Sequence, residues 1–194
     1  MAQEELAMGA TSSPSAEGGD PPDPEIEAAW RQWLIARNRR GARTVLWLVA
    51  IFYPLFGILD YLVAPHEWLP LLYGSRAFVT AYTLGMFALV RTRLFERHST
   101  ILTSIYVLVL AGGIEVMIFV LGGYTSPYYA GLNLVMITAG LLFLWPMKVA
   151  ITTHTLILLT FLVSNAFIVT RGQIVAAVTN FFFMGTTAVI VIAA

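Results

Sequence analysis

The sequence contains no cysteine and few charged residues. Without cysteine the chain can form neither a disulfide framework nor a thiolate metal site. Charged residues make up only 11% of the 194 positions, whereas hydrophobic residues make up 58%. Average soluble domains are about 25% charged. The composition therefore excludes an ordinary soluble domain and indicates a polytopic membrane protein.

Basic residues are absent from the first 27 positions, where every charge is negative. A signal peptide begins with a basic region followed by an apolar core, and this segment has neither, so we expect no signal peptide. The stretch GATSSPSAEGGDPPDP is rich in glycine, serine and proline, a composition that cannot form a packed core. We predict that residues 1–22 form a disordered acidic tail.

A helix is predicted over residues 23–43. Asp23 is a suitable N-cap and Pro24 suits the first helical position. Apolar side chains recur at helical spacing, and arginines occupy the remaining faces. The apolar positions are Ile26, Trp30, Trp33 and Leu34. This pattern favours an amphipathic helix in the membrane interface over a solvated linker helix.

Six apolar segments follow, each close to the ~20 residues that cross the ~30 Å hydrocarbon core of a bilayer. The predicted spans are 44–64, 70–91, 100–122, 129–146, 149–170 and 174–194. Short connections join them, so neighbouring spans should be antiparallel. We therefore predict an all-α fold, an integral membrane six-helix bundle over residues 44–194.

Basic residues cluster in the connections on one side of the predicted bundle. They are Arg31, Arg37, Arg39, Arg40 and Arg43 before span 1, Arg91, Arg93 and Arg97 after span 2, and Lys148 before span 5. In the opposite connections Arg171 is the only arginine or lysine, and tyrosine is frequent. The positive-inside rule then predicts that both termini are cytoplasmic. Span 6 reaches Ala194 without a polar flank, so we expect a cytoplasmic output domain after it.

One polar or ionisable residue lies near the outer end of every span, at similar depth. These residues are Asp60, Arg76, Glu115, Asn133, Asn165 and Asn180. Because isolated charges are costly in hydrocarbon, we predict that Arg76 pairs with Glu115 and that the asparagines complete the hydrogen bonds. The layer is interpreted either as polar contacts that only join helices or as a ligand pocket.

The pocket hypothesis adds three tyrosines to this layer. Tyr61, Tyr124 and Tyr129 would line a small pocket open to the outer side, and the turn GGYTSPYYAGLN would cover it. The charged residues favour a zwitterionic, polar or quinone-like ligand. His154 is a weak haem or metal candidate, because a bis-histidine haem needs two buried imidazoles and this chain offers one within the spans. No nucleophile–base pair is apparent, so we expect no catalysis by this segment.

Two stretches resemble a known type of membrane region. GGYTSPYYAGLNLVMITAGLLFLWP and VTNFFFMGTTAVIVIAA resemble the six-helix N-terminal regions of bacterial sensor histidine kinases and of some class III nucleotide cyclases. The resemblance covers residues 44–194 and rests mainly on SPYYAGLN. It implies an input module in a homodimeric receptor of the bacterial inner membrane. ATP and Mg²⁺ would bind only in the later output domain, and a cytoplasmic response regulator would be the partner of a kinase.

The leading functional hypothesis is therefore a membrane-embedded sensor. An unknown small-molecule or lipid-soluble ligand would change helix packing, and the last helix would pass that change to a histidine kinase domain. The alternatives are the same input role on a nucleotide cyclase, or a small transporter or channel subunit in which Arg76 and Glu115 line the path. Transporters often contain internal repeats and broken helices, and the sequence indicates neither. The charge pattern does not indicate nucleic-acid binding.

Overall fold

The computed structural model describes residues 24–193, and these are all helical or in short connections, with no strand among them. The helices are α1 (Pro24–Val63), α2 (Leu69–Leu89), α3 (Arg93–Val120), α4 (Tyr129–Leu142), α5 (Met147–Ala166) and α6 (Ile174–Ala193). Short 3-10 turns precede α2, α4 and α6. The all-α prediction is confirmed for this part of the chain. The predicted tail 1–22 and the N-cap Asp23 lie outside the described residues.

Helix α1 differs from the sequence prediction. Residues 23–43 were expected to form a separate helix before span 1, but α1 runs without a break from Pro24 to Val63. Pro54 lies inside it. The chain divides into two compact units between Trp33 and Leu34, so the beginning of α1 belongs to the first unit.

Among residues 24–33 of the first unit, local side-chain contacts include an ion pair and a stacked ring pair. Glu27 and Arg31 form an exposed ion pair one helical turn apart, with 2.9 Å between Oε1 and Nη2. The rings of Trp30 and Trp33 stack with centroids 4.9 Å apart, and both side chains are exposed. An exposed, stacked tryptophan pair suits the headgroup region of a membrane. Placement of this segment in the interface stays a prediction.

Four helical segments of the described chain are long and apolar enough to cross a membrane. They are Pro24–Val63, Arg93–Val120, Met147–Ala166 and Arg171–Ala193. Helix α4 is apolar but has only 14 residues, about 21 Å at 1.5 Å per residue. Helix α2 has sufficient length, but Ser75, Arg76 and Thr80 make it more polar. The structure therefore indicates a membrane protein with four candidate spans.

In the second unit, α3 lies in the middle of the helices. It packs against α2, α4 and α5, and α6 packs against α4 and α5. A glycine of α3 allows this helix to approach its neighbours closely. A Cβ atom on Gly113 would collide with the Tyr53 hydroxyl and with Val79, so α3 approaches α1 and α2 at this glycine. Gly112, its neighbour, faces open space.

Hydrogen bonds define two ends of this unit. At one end, the connection 121–128 bonds to Asp60 and to Gln173, near the ends of α1 and α5. We call this the aromatic end. At the other, the basic end, Arg39 pairs with Glu96 at 2.8 Å, and Asn38 contacts the connection between α4 and α5. The chain thus alternates between the two ends, and successive helices from the second half of α1 onward are antiparallel.

Candidate functional site

All six residues of the predicted polar layer are buried, and each lies on a different helix. Their exposed fractions range from 0% for Asp60 and Asn165 to 9% for Asn180. Arg76, Glu115 and Asn133 lie between these values. Burial of a polar group in a membrane protein is costly unless hydrogen bonds compensate for it. The partners of each residue therefore determine what it can do.

The predicted pair between Arg76 and Glu115 is wrong, because Arg76 pairs with Asp60. The guanidinium donates from Nη2 to Asp60 Oδ1 at 2.8 Å and from Nε to Asp60 Oδ2, a two-point ion pair. Its Nη1 atom donates to the backbone carbonyl of Tyr53 at 2.8 Å. The Tyr128 hydroxyl also donates to Asp60 Oδ1, at 2.8 Å. This cluster joins α1, α2 and the connection before α4.

Glu115 forms a second cluster, with α5. Its Oε2 atom accepts a hydrogen bond from the Ser164 hydroxyl at 2.9 Å and one from Asn165 Nδ2 at 3.3 Å. Neither donor carries a charge, and Glu115 has no ion pair within residues 24–193. Glu115 Oε1 and Asn165 Oδ1 are buried and have no partner in that part of the chain.

Residues 122–128 of the connection between α3 and α4 hold several helices together. We call this segment the tyrosine turn. Gly122 and Gly123 adopt positive φ values of 111° and 59°, a conformation that glycine tolerates and that ends α3. The Tyr124 hydroxyl donates to the Leu162 carbonyl of α5 at 2.6 Å, and the Tyr124 carbonyl accepts from Asn180 Nδ2 of α6 at 2.8 Å.

The tyrosine turn has two further contacts. The Gly122 carbonyl accepts from Gln173 Nε2 at 3.1 Å, just before α6. Tyr128 reaches Asp60, as described above. Burial raises the pKa of the Tyr124 hydroxyl, and the nearby Glu115 carboxyl adds to that shift. The hydroxyl therefore remains a donor at ordinary pH.

The remaining candidates do not join either cluster through hydrogen bonds. Both polar side-chain atoms of Asn133 lack a partner among the described residues. Tyr129 is half-buried, and its hydroxyl forms no hydrogen bond within the same part of the chain. Tyr61 is 56% exposed and contacts the ring of His66. The proposed lining of one pocket by Tyr61, Tyr124 and Tyr129 is therefore not what the contacts favour.

His154 is buried near the basic end, and both of its ring nitrogens face carbonyl oxygens. Nδ1 lies 2.8 Å from the Ala150 carbonyl, and Nε2 lies 3.4 Å from the Met136 carbonyl. No group of three or more metal-binding side chains occurs in residues 24–193. The geometry thus favours a structural role for His154, joining α4 to α5.

Several residues that form buried hydrogen bonds were not identified from the sequence. The sequence does not distinguish Ser164 from the other hydroxyl residues, and Tyr128 is one of several tyrosines in its connection. Asn38 lies among the arginines of the predicted 23–43 helix. It accepts from the Leu144 amide at 2.8 Å and donates to the Leu144 carbonyl at 3.3 Å. An uncharged amide in an arginine-rich segment is the signal that the sequence offers.

Comparison with family models, with curated proteins and with solved structures finds no match for this chain.

Removal of the Tyr128 hydroxyl is expected to weaken the Asp60 cluster. Tyr128→Phe keeps the ring but removes one hydrogen bond to a charged group, which should lower the free energy of unfolding by about 1.5–3 kcal/mol. Tyr129→Phe, the matched control, should have little effect. Both can be measured by denaturant unfolding in mixed detergent micelles. Equal stabilities of the two variants would contradict this assignment.

The same variant has a predicted pH dependence. Burial, followed by the hydrogen bond to Asp60, raises the pKa of Tyr128 from 10.0 to about 12. A raised pKa in the folded state means that the contribution of the protonated hydroxyl is complete below pH 10.0 and decreases toward pH about 12. The stability difference between the wild type and Tyr128→Phe should therefore be constant at neutral pH and shrink only in strong alkali.

Proposed function

We propose that this chain is the membrane-embedded input domain of a bacterial signal-transduction protein, most simply a sensor histidine kinase. In this proposal all six helices cross the inner membrane of a homodimer, with the aromatic end outside and both termini in the cytoplasm. The excess of arginine and lysine at the basic end supports that orientation. The resemblance carried by SPYYAGLN supports the family of receptors, and a nucleotide cyclase is the alternative output.

The position of the tyrosine turn is the observation that carries the proposal. Its hydrogen bonds reach Asp60 on α1, Leu162 on α5 and Asn180 on α6. A ligand or membrane state that favours one conformation of this turn would therefore change the packing of three helices together. Helix α6 is the last of them, and it would pass the change toward the cytoplasm. A turn that only joined α3 to α4 would not need hydrogen bonds to α1, α5 and α6.

The size of the expected effect follows from the strength of such contacts. Hydrogen bonds between helices in membranes contribute about 0.6–1.7 kcal/mol. Loss of one contact that differs between two packings would change their ratio by roughly 3- to 18-fold. This is large enough to detect as a change in basal output.

The test is a substitution of Asn180 in the natural full-length protein, assayed in membrane vesicles. Asn180→Leu removes the bond to the Tyr124 carbonyl, and we expect basal autophosphorylation or cyclic-nucleotide synthesis to change by roughly 3- to 18-fold. Thr179→Leu, a substitution at the exposed neighbouring position, is the control and should leave output unchanged. Wild-type output from both variants would contradict the proposal. Solute uptake by the reconstituted protein that depends on Arg76 and Glu115 would favour a transporter instead.

The coding sequence that follows Ala194 tests the type of output. A continuing helix with a histidine-containing dimerisation hairpin and an ATP-binding domain would support the kinase, and a cyclase domain would support the alternative. A stop codon soon after Ala194 would contradict both.

A further inference from the structure

The exposed face of α1 changes in chemical character between residues 40 and 51. Arg40 and Arg43 are exposed toward the basic end, and Trp47 follows one turn later with an exposed fraction of 62%. Leu48 and Ile51 come next and are also exposed. These positions are three or four residues apart and therefore share one face. This face thus passes from charged through aromatic to aliphatic within about 17 Å at 1.5 Å per residue.

Helix α2 brings another arginine to the same face. The rings of Trp47 and Phe87 meet edge to face, with their centroids 5.1 Å apart. Arg43 lies one turn from Trp47, and Arg91 lies one turn from Phe87, where its amide still donates to the Ala88 carbonyl at 3.2 Å. Residues four apart lie on the same side of a helix, about 5–6 Å from each other. Because α1 and α2 are antiparallel, both arginines flank the ring contact on the side of the basic end.

The charges of Arg43 and Arg91 are not compensated by a carboxylate of the described chain. Both side chains are exposed, and neither forms an ion pair within residues 24–193. Of the acidic residues in 34–193, Glu96 alone lies at the basic end, and it already pairs with Arg39. An anion that binds between these arginines would therefore gain electrostatic attraction without displacing a carboxylate.

We propose that Arg43 and Arg91 bind the phosphate of an anionic phospholipid. The indole of Trp47 would lie beside the glycerol ester groups of this lipid, and its acyl chains would follow Leu48 and Ile51. The proposal concerns a lipid-binding surface alone, goes beyond the input-domain function, and holds for a receptor or a transporter alike.

The order of side chains along α1 favours a lipid over a soluble anion. The guanidinium group matches phosphate in charge and in donor geometry, and tryptophan is enriched at the membrane interface. A soluble anion would use the arginines but not the aliphatic residues that continue the same face. A phospholipid presents its phosphate, ester groups and hydrocarbon in the order that this face requires. A zwitterionic lipid is less suitable, because the surrounding arginines repel its cationic group.

The test compares two phospholipids with the same acyl chains, dioleoylphosphatidylglycerol and dioleoylphosphatidylcholine. Each is titrated into the purified chain in an uncharged detergent, and native mass spectrometry gives the dissociation constant of the first bound lipid. We expect the anionic lipid to bind at least about fivefold more tightly. Arg43→Gln and Arg91→Gln should each weaken its binding about fivefold, the effect expected for one arginine near an anionic headgroup. Neither substitution should change the binding of the zwitterionic lipid.

Two further variants separate a local site from the net charge of the chain. Arg171→Gln removes an exposed arginine at the aromatic end and should leave both dissociation constants unchanged. Arg43→Lys keeps the positive charge and should bind the anionic lipid more tightly than Arg43→Gln does. Three results would overturn the proposal. They are equal affinity for the two lipids, an equal effect of Arg171→Gln, and displacement of the lipid by excess inorganic phosphate, which would assign the arginines to a soluble anion.

Discussion

Substitution of Arg76 by methionine is expected to lower the free energy of unfolding by about 3–5 kcal/mol. The side chains of Asp60 and Arg76 are 0% and 6% exposed, and they are joined by two hydrogen bonds. Removal of the arginine leaves a buried carboxylate whose remaining partner is the Tyr128 hydroxyl. Asp60→Leu should be as damaging, because it leaves a buried guanidinium. Unfolding by a denaturing detergent in mixed micelles measures both effects.

The double variant distinguishes the effect of leaving one charge unpaired from the effect of losing side-chain packing. Asp60→Leu combined with Arg76→Met removes both charges, so its destabilisation should be smaller than that of either single variant. Arg171→Met, at an exposed arginine near the same end, controls for the loss of a positive charge and should be close to the wild type. Additive single and double effects would mean that the two residues act independently and would contradict the pairing.

The position of these polar residues along their helices could be predicted from the sequence, but their partners could not. Counting residues from the ends of the spans placed Asp60, Arg76 and Glu115 near one end, where the structure has them. Counting gives no direction around the helix axis, and pairing depends on that direction. Glu115 faces α5, whereas Arg76 faces α1. Glu115, the predicted partner of Arg76, therefore lies at a suitable position along α3, but its side chain points toward α5 and not toward α2.

The length of the arginine side chain also affected the pairing. Asp60 lies about 5 Å from the end of α1, and Arg76 lies about 10 Å from the start of α2, by helical rise. Matching by depth favours Glu115 over Asp60. A long, flexible side chain bridges this difference by extending toward the helix end, as basic residues in membranes do. The short connection between α1 and α2 was the stronger signal, since it makes these helices neighbours.

Some helix ends could be predicted closely because local chemistry determines them, whereas α3 begins at Arg93 rather than at 100, and α4 and α5 end at Leu142 and Ala166 rather than at 146 and 170. Gly122 and Gly123 adopt the positive φ values that end α3, and Pro146 immediately precedes α5. The start of span 1 lacked such a signal. Gly41 alone does not interrupt α1, because α-helical backbone is accessible to glycine at a modest cost of about 0.5–1 kcal/mol. The chain therefore continues as one helix across the predicted boundary.

Gly41 lies at a close contact between α1 and α4, so its substitution should lower the stability of the protein substantially. A Cβ atom added there would collide with the backbone carbonyl of Leu142, at the end of α4. A backbone atom cannot rotate away as a side chain can, so α1 and the α4–α5 connection would have to separate. Gly41→Ala should therefore lower the free energy of unfolding by about 1–3 kcal/mol or more. Gly112→Ala, which meets open space, should instead raise it by up to about 1 kcal/mol.

Asn38 lies one turn before Gly41 and binds the same connection through Leu144, so the two residues share one contact. If Gly41→Ala displaces the connection, the hydrogen bonds of Asn38 are already weakened in that variant. The double variant Asn38→Ala/Gly41→Ala should then lose less stability than the sum of the two single losses, by about 0.5 kcal/mol or more. Unfolding in mixed micelles of the wild type, both single variants and the double variant gives this difference directly. Strict additivity would mean that α1 accommodates the new methyl group without moving from the connection.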